Sequence, residues 1–257
     1  MKRLAGLFAF AALTAATAAP SALANHSWGG YHWARTANPF TIKLGDNLTT
    51  AEWKSHLSQT STDWSKSTVL DTTIVAGQSK GSCRPTSGRD EICNKSYGPN
   101  GWLGLASIWL QSGTLHIVQG TVKVNDTYLG PGAAYTYNNA AEREHVMCQE
   151  VGHTFGLDHQ DTSGASLNTC MDYYHNTTDT DTLSTTPNQH DYDELATIYA
   201  HLDSSTTIGA ASGAGAAAAE IPSWANPSES VYVDHGANGM TQVTFVLWAN
   251  PIHGWGG

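Results

Sequence analysis

Apolar and polar residues alternate through Phe40-Thr41-Ile42-Lys43-Leu44, the period of a half-buried strand. Trp53 and Leu57, one helical turn apart and followed by Trp64, predict a helix that Thr49 can cap. Thr68 to Val75 reads as a second strand. Ala76 to Gly101 is crowded with Gly, Ser, Pro and charged residues and reads as a loop. Trp102 to Leu110 and Leu115 to Val124 are the next strands, joined through Gln111-Ser112-Gly113. The Asn138-Asn139 pair can cap a helix running to about Phe155. A helix, a run of strands and a late helix predict an α+β domain. Beyond it, Ile208 to Glu220 is a Gly/Ala/Ser stretch with the composition of a linker. Ser230 to Val233 and Thr241 to Trp248 predict a β-hairpin around Gly236-Ala237-Asn238-Gly239. A lone hairpin is marginal in water, so it is expected to dock on the main domain.

The first residues read as a secretory signal: basic Lys2 and Arg3, an apolar Ala-rich run from Leu4 to Ala19, and the small-residue site Ala22-Leu23-Ala24. The expected localisation is extracellular. The apolar run is short for a membrane span, so no membrane partner is expected after cleavage. The chain holds 22 acidic against 12 basic residues, a formal charge of −10, and no basic run. Nucleic acid is therefore not an expected partner. Four cysteines in a secreted chain suggest two disulfides with three possible pairings. Cys83–Cys93 would close a short loop, and Cys148–Cys170 would tie the late helix to the segment after it.

The chemistry concentrates in Gln149-Glu150-Val151-Gly152-His153-Thr154-Phe155-Gly156-Leu157-Asp158-His159. Positions 149 and 153 are one helical turn apart and share a face. Gly156 can take a left-handed conformation and end the helix. The chain can then turn back so that His159 approaches the same point as His153. A carboxylate at 150, next to the first ligand position, can reach a water at a metal without binding the metal itself. Three ligands and one open position make a catalytic zinc site. Outside such a run, His153 and His159 would be ordinary core or solvated histidines.

The run matches H-E-x-x-H-x-x-G-x-x-H at every fixed position but the first. With Cys170-Met171-Asp172-Tyr173 following it, the chain resembles the metzincin zinc metalloproteases, closest to secreted matrixin-like proteins. The resemblance implies an α+β zincin domain with a twisted mixed sheet, an active-site helix and a Met-turn, followed by the C-terminal hairpin extension. It divides the chain into a signal at 1–24, a catalytic domain at 25–204, a linker at 205–226 and the extension at 227–257. Met171 would form the floor of the Met-turn, and Tyr173 would contact zinc or the oxyanion. The segment from Pro187 to Tyr199 would be the closing helix. Trp102 to Leu110 would be the edge strand that pairs with an extended peptide or protein substrate. No cysteine precedes Cys83, so latency through an upstream inhibitory cysteine is not expected.

Gln149 stands where the family has its first histidine, and three readings are open. Its amide oxygen binds zinc, or His116 or His175 supplies the third nitrogen, or the site is inactive. His145 shares the stripe but lies two turns, ~12 Å, from His153 and cannot join it on one ion; with Glu144 it is expected on an exposed helix face. The functional expectation is a secreted zinc endopeptidase with Gln149, His153 and His159 at the metal, Glu150 as general base and Tyr173 in support. The rival is a non-catalytic secreted protein that binds peptide or metal in the same cleft.

Overall fold

The computed structural model describes residues 26–79, 81–210, 220–221, 225–226, 228–236 and 239–249. The segment expected to be a signal and the centre of the expected linker lie outside them. In chain order the elements are β1 (His32–Trp33), β2 (Phe40–Asn47), α1 (Ala51–Trp64), β3 (Leu70–Ala76), β4 (Asp90–Lys95), β5 (Trp102–Leu110), β6 (His116–Asn125), α2 (Asp126–Leu129), α3 (Ala140–His153), α4 (Gln189–Ile198), β7 (Val231–His235) and β8 (Thr241–Trp248).

One mixed sheet runs β3-β2-β4-β6-β5-β8-β7, with β1 beside β6. The pairs β2–β3, β2–β4, β4–β6 and β1–β6 are parallel; β5 is antiparallel to both β6 and β8. The main core packs Ile42, Leu44, Ile92, Ala106 and Val122 of the sheet against Trp53, Leu57 and Trp64 of α1 and Val146, Met147 and Val151 of α3. A smaller cluster on the opposite face joins Trp102, Leu105 and Trp109 of β5 to Val246 and Trp248 of β8 and Tyr232 of β7. No helix among the described residues is long and apolar enough to cross a membrane.

Local capping sets the helix starts. Thr50, not Thr49, caps α1 by accepting from the Trp53 amide, while Thr49 is held by Asn94. Asn139 caps α3, and Asn188 caps α4 in a reciprocal box with Asp191. The 76–101 segment is not wholly loop. It carries β4, whose Cys93 bonds to Cys83, and charged Asp90 and Glu91 hid this strand from a hydrophobic pattern. The second disulfide joins Cys148 to Cys170.

Two further expectations are corrected. Strand β5 is not an edge: β8 pairs along it from Trp102↔Trp248 to Leu110↔Thr241. Helix α3 has no freely exposed face at 144–145, because His145 is fully buried and Glu144 is tied to His56 and Thr60 of α1. A helix covered by α1 on one side and the sheet on the other has little surface left for solvent.

Candidate metal centre

Helix α3 ends at His153 and the chain turns through Gly156 at φ +95°. The turn is fastened from the N-terminal segment: the Trp28 amide donates to Gly156 O, the Asp158 amide to His26 O, and Trp33 Nε1 to Thr154 O. The result brings His159 back to His153, with their Nε2 atoms 3.1 Å apart.

Both imidazoles are oriented from behind. His153 Nδ1 lies 2.9 Å from Leu157 O, and His159 Nδ1 lies 3.3 Å from Asp158 Oδ1. Both partners only accept hydrogen bonds, so both Nδ1 atoms carry hydrogen. In the neutral rings the two Nε2 lone pairs then face each other across 3.1 Å. A proton on one of the two nitrogens, or a metal ion between them, turns this contact into an attractive one. Burial, reinforced by the neighbouring His159, holds His153 well below the ordinary histidine range, which keeps it in the form that binds metal.

Gln149 is fully buried on the same stripe. Its Nε2 donates to the carbonyls of Cys170 (2.9 Å) and Asp172 (2.7 Å), and its Oε1 has no hydrogen-bond partner. The amide is thus pinned to the Met171 turn by its nitrogen and left with a free acceptor. An unpaired buried amide oxygen is costly, and a cation would satisfy it. The alternative donors are engaged elsewhere. His175 sits on Glu142, and His116 faces Asp203. His145 bridges Glu142 and Asp172 O behind Gln149. The two imidazole nitrogens are donors of the kind zinc takes, and the unpartnered Gln149 oxygen is the candidate for a third.

Glu150 is fully buried, with the Ala106 and Leu247 backbones near it but no well-aligned hydrogen bond to either carboxylate oxygen. Burial pushes its carboxyl well above the usual range. Gly104 of β5 makes its space, since a β-carbon there would stand 2.4 Å from Glu150 Oε1. Sequence reading missed Gly104, whose only signal is a glycine interrupting an apolar strand. Below the helix, Met171 is fully buried, and a β-carbon on Gly152 would lie 2.6 Å from its Sδ. Tyr173 tilts against His159, with ring centroids 4.4 Å apart, and donates to Val246 O at 2.9 Å.

The cleft is filled by β8. Phe245 stacks face to face on His153, with centroids 4.3 Å apart and planes 6° apart. Val246 takes the Tyr173 hydroxyl, and Leu247 lies beside Glu150. A strand of the chain's own C-terminal segment thus pairs with β5 where an extended peptide was expected to pair.

No family model matches this chain, and no curated protein matches it. Among solved structures it is similar to myroilysin, with a TM-score of 0.36 and 10% identity over 65% of this chain and 96% of that one. It is also similar to high choriolytic enzyme 1, a hatching-enzyme zinc protease of the medaka Oryzias latipes. That match has a TM-score of 0.36 and 10% identity, over 67% of this chain and 96% of the other. Both likenesses are distant.

Proposed function

We propose that the protein is a secreted zinc-dependent endopeptidase of metzincin type, folded with its cleft closed by β8. The observation that carries this reading is the pair of Nδ1-anchored histidines, His153 and His159, aiming their Nε2 atoms at one point. Gln149, His153 and His159 would hold the ion. Zinc bound there would supply Lewis acidity for a scissile carbonyl and for water. Glu150, one residue from the ligand stripe, would accept a proton from that water and pass it to the leaving amine. Tyr173, once released from Val246, would donate to the developing oxyanion. In the closed form burial raises the Glu150 carboxyl above its usual range, so displacement of β8, which would let water in, is what would lower it toward a working base.

The filled cleft also favours one rival, a zinc-binding protein that never opens. Zinc content and peptide cleavage are measured on the wild type, on Phe245→Ala, and on Phe245→Ala with Glu150→Ala. The protease reading expects all three to hold a zinc equivalent that His159→Ala removes. Phe245→Ala should cleave at least ~10-fold faster than wild type, a barrier change of about 1.4 kcal/mol. Adding Glu150→Ala should remove that cleavage. Zinc bound without cleavage in Phe245→Ala supports the binding protein instead.

A further inference from the structure

The first residue of β1 is the parallel register partner of the first residue of β6: His32 sits beside His116. The segment following α4 brings His201 and Asp203 to the same place. Four donor atoms converge there. His32 Nε2 is 3.1 Å from His201 Nε2; Asp203 Oδ1 is 3.2 Å from His116 Nε2, 3.6 Å from His32 Nε2 and 3.7 Å from His201 Nε2. The His32 ring lies at 75° to that of His116 and at 88° to that of His201, as rings do when they radiate from one centre.

Hydrogen bonding accounts for the two short separations, 3.1 and 3.2 Å; the other two, 3.6 and 3.7 Å, are too long for hydrogen bonds and lie at ion-pair range of the Asp203 carboxylate. A tetrahedral ion would draw all four into one range; His32, His116 and Asp203 already have their donor atoms within 4.8 Å of one another, and His201 adjoins two of them. With metal–donor bonds of ~2.0–2.1 Å, the donors stand ~3.3 Å apart along each edge. The supporting contacts agree. His32 Nδ1 donates to Gly30 O at 2.7 Å, so Nε2 of the neutral ring carries the lone pair. Asp203 Oδ2 accepts from Arg35 Nη1 at 3.0 Å and from the Arg35 amide at 3.1 Å, which leaves Oδ1 to face the imidazoles. His32 is buried, whereas the His201 side chain is 52% exposed, so an ion can arrive from solvent on that side.

We infer that His32, His116, His201 and Asp203 form a second, structural site for a divalent transition-metal ion of the zinc class. Three imidazoles and one carboxylate fill a tetrahedron and leave no open position, so the site holds structure and does no chemistry. It would join three segments distant in sequence. One of them, β1, runs directly into the Trp33 contact under the turn that carries His159. Metal here would stabilise the floor of the catalytic site from outside it.

The test is zinc and cobalt binding by the full chain near neutral pH, with the motif site disabled by His159→Ala. That variant should retain one equivalent of Zn2+, and with Co2+ it should show the visible absorption of a tetrahedral ion. Adding His116→Ala or His201→Ala should weaken this binding by at least ~100-fold, more than the loss of a supporting contact costs, and abolish the rise in Tm on adding zinc. Absence of metal from His159→Ala would overturn the proposal, as would binding that neither further substitution changes; the cluster would then be hydrogen-bonded only. Should His159→Ala fail to fold, the half-exposed His201 is replaced alone in the wild type. Loss of one zinc equivalent supports the site, and unchanged content overturns it.

Discussion

Gly156 turns directly beneath the carbonyl of Tyr31, whose oxygen lies 2.1 Å from where a β-carbon on Gly156 would stand. Two constraints coincide: φ is +95°, and the neighbour in the way is backbone, which cannot swing aside. Gly156→Ala should therefore destabilise the fold by roughly 2–4 kcal/mol, combining left-handed strain with displacement of the N-terminal segment. It should also weaken zinc binding, because the same turn delivers His159. Urea unfolding and zinc titration measure both; a fully stable alanine variant would mean that the Tyr31 contact is not a constraint.

Gln149 makes a graded prediction. Gln149→His should tighten zinc at the motif site at least tenfold, about 1.4 kcal/mol, by restoring a third imidazole. Gln149→Ala should loosen it and also cost stability, since the carbonyls of Cys170 and Asp172 lose a buried donor at ~1–3 kcal/mol. The comparison is made with His201→Ala in the background so that one site is read. Equal affinity in all three proteins would remove Gln149 from the ligand set.

Asp90 predicts a slope with pH. Burial raises its carboxyl to about 8, opposed by the hydrogen bond from Thr154 and by Arg89. The unfolded chain titrates near ~3.9, so the folded state keeps a proton that the unfolded state releases. The stability this contributes is complete below about pH 4 and is lost as pH rises through about 8. Asp90→Asn should flatten that decline, gaining on the wild type between pH 5 and 8. Other groups are common to both proteins and cancel; parallel urea midpoints across this range would refute the assignment.

The Cys148–Cys170 bond ties α3 to the Met171 turn across 22 residues. Replacing both with serine should cost ~2–5 kcal/mol. It should also loosen zinc, because Gln149 is pinned to the Cys170 carbonyl. Removing Cys83–Cys93, which fastens β4 away from the motif, should leave zinc affinity unchanged. A matching loss of zinc in the two variants would show that the first bond acts only through global stability.

The local geometry of the candidate site was legible because its information is local. One helical turn from 149 to 153, a glycine at 156 and a histidine at 159 specify a helix end and a return, whatever surrounds them. Capping residues and the even cysteine count are of the same kind. What surrounds the site was not local. Glu150 fits against the sheet because Gly104, on a strand 46 residues earlier, has no side chain, and a glycine within an apolar strand does not say which residue fills its space.

Strand pairing lies further still from what a sequence shows. The alternation in Thr241 to Trp248 made a strand expected but carried no address. β8 sits on β5 because both its faces find apolar partners there, Phe245 and Leu247 in the main core and Val246 and Trp248 in the smaller cluster. The same holds for His32, His116, His201 and Asp203. No spacing links them, and His116 was a candidate only for the motif site; they meet because a parallel register sets His32 beside His116 and the chain after α4 returns to β1. The sequence by itself determined which residues could share a helical turn. Which strand closes the cleft, and which histidines share a centre, was decided by the tertiary structure, because burial and backbone pairing act between segments that no local spacing connects.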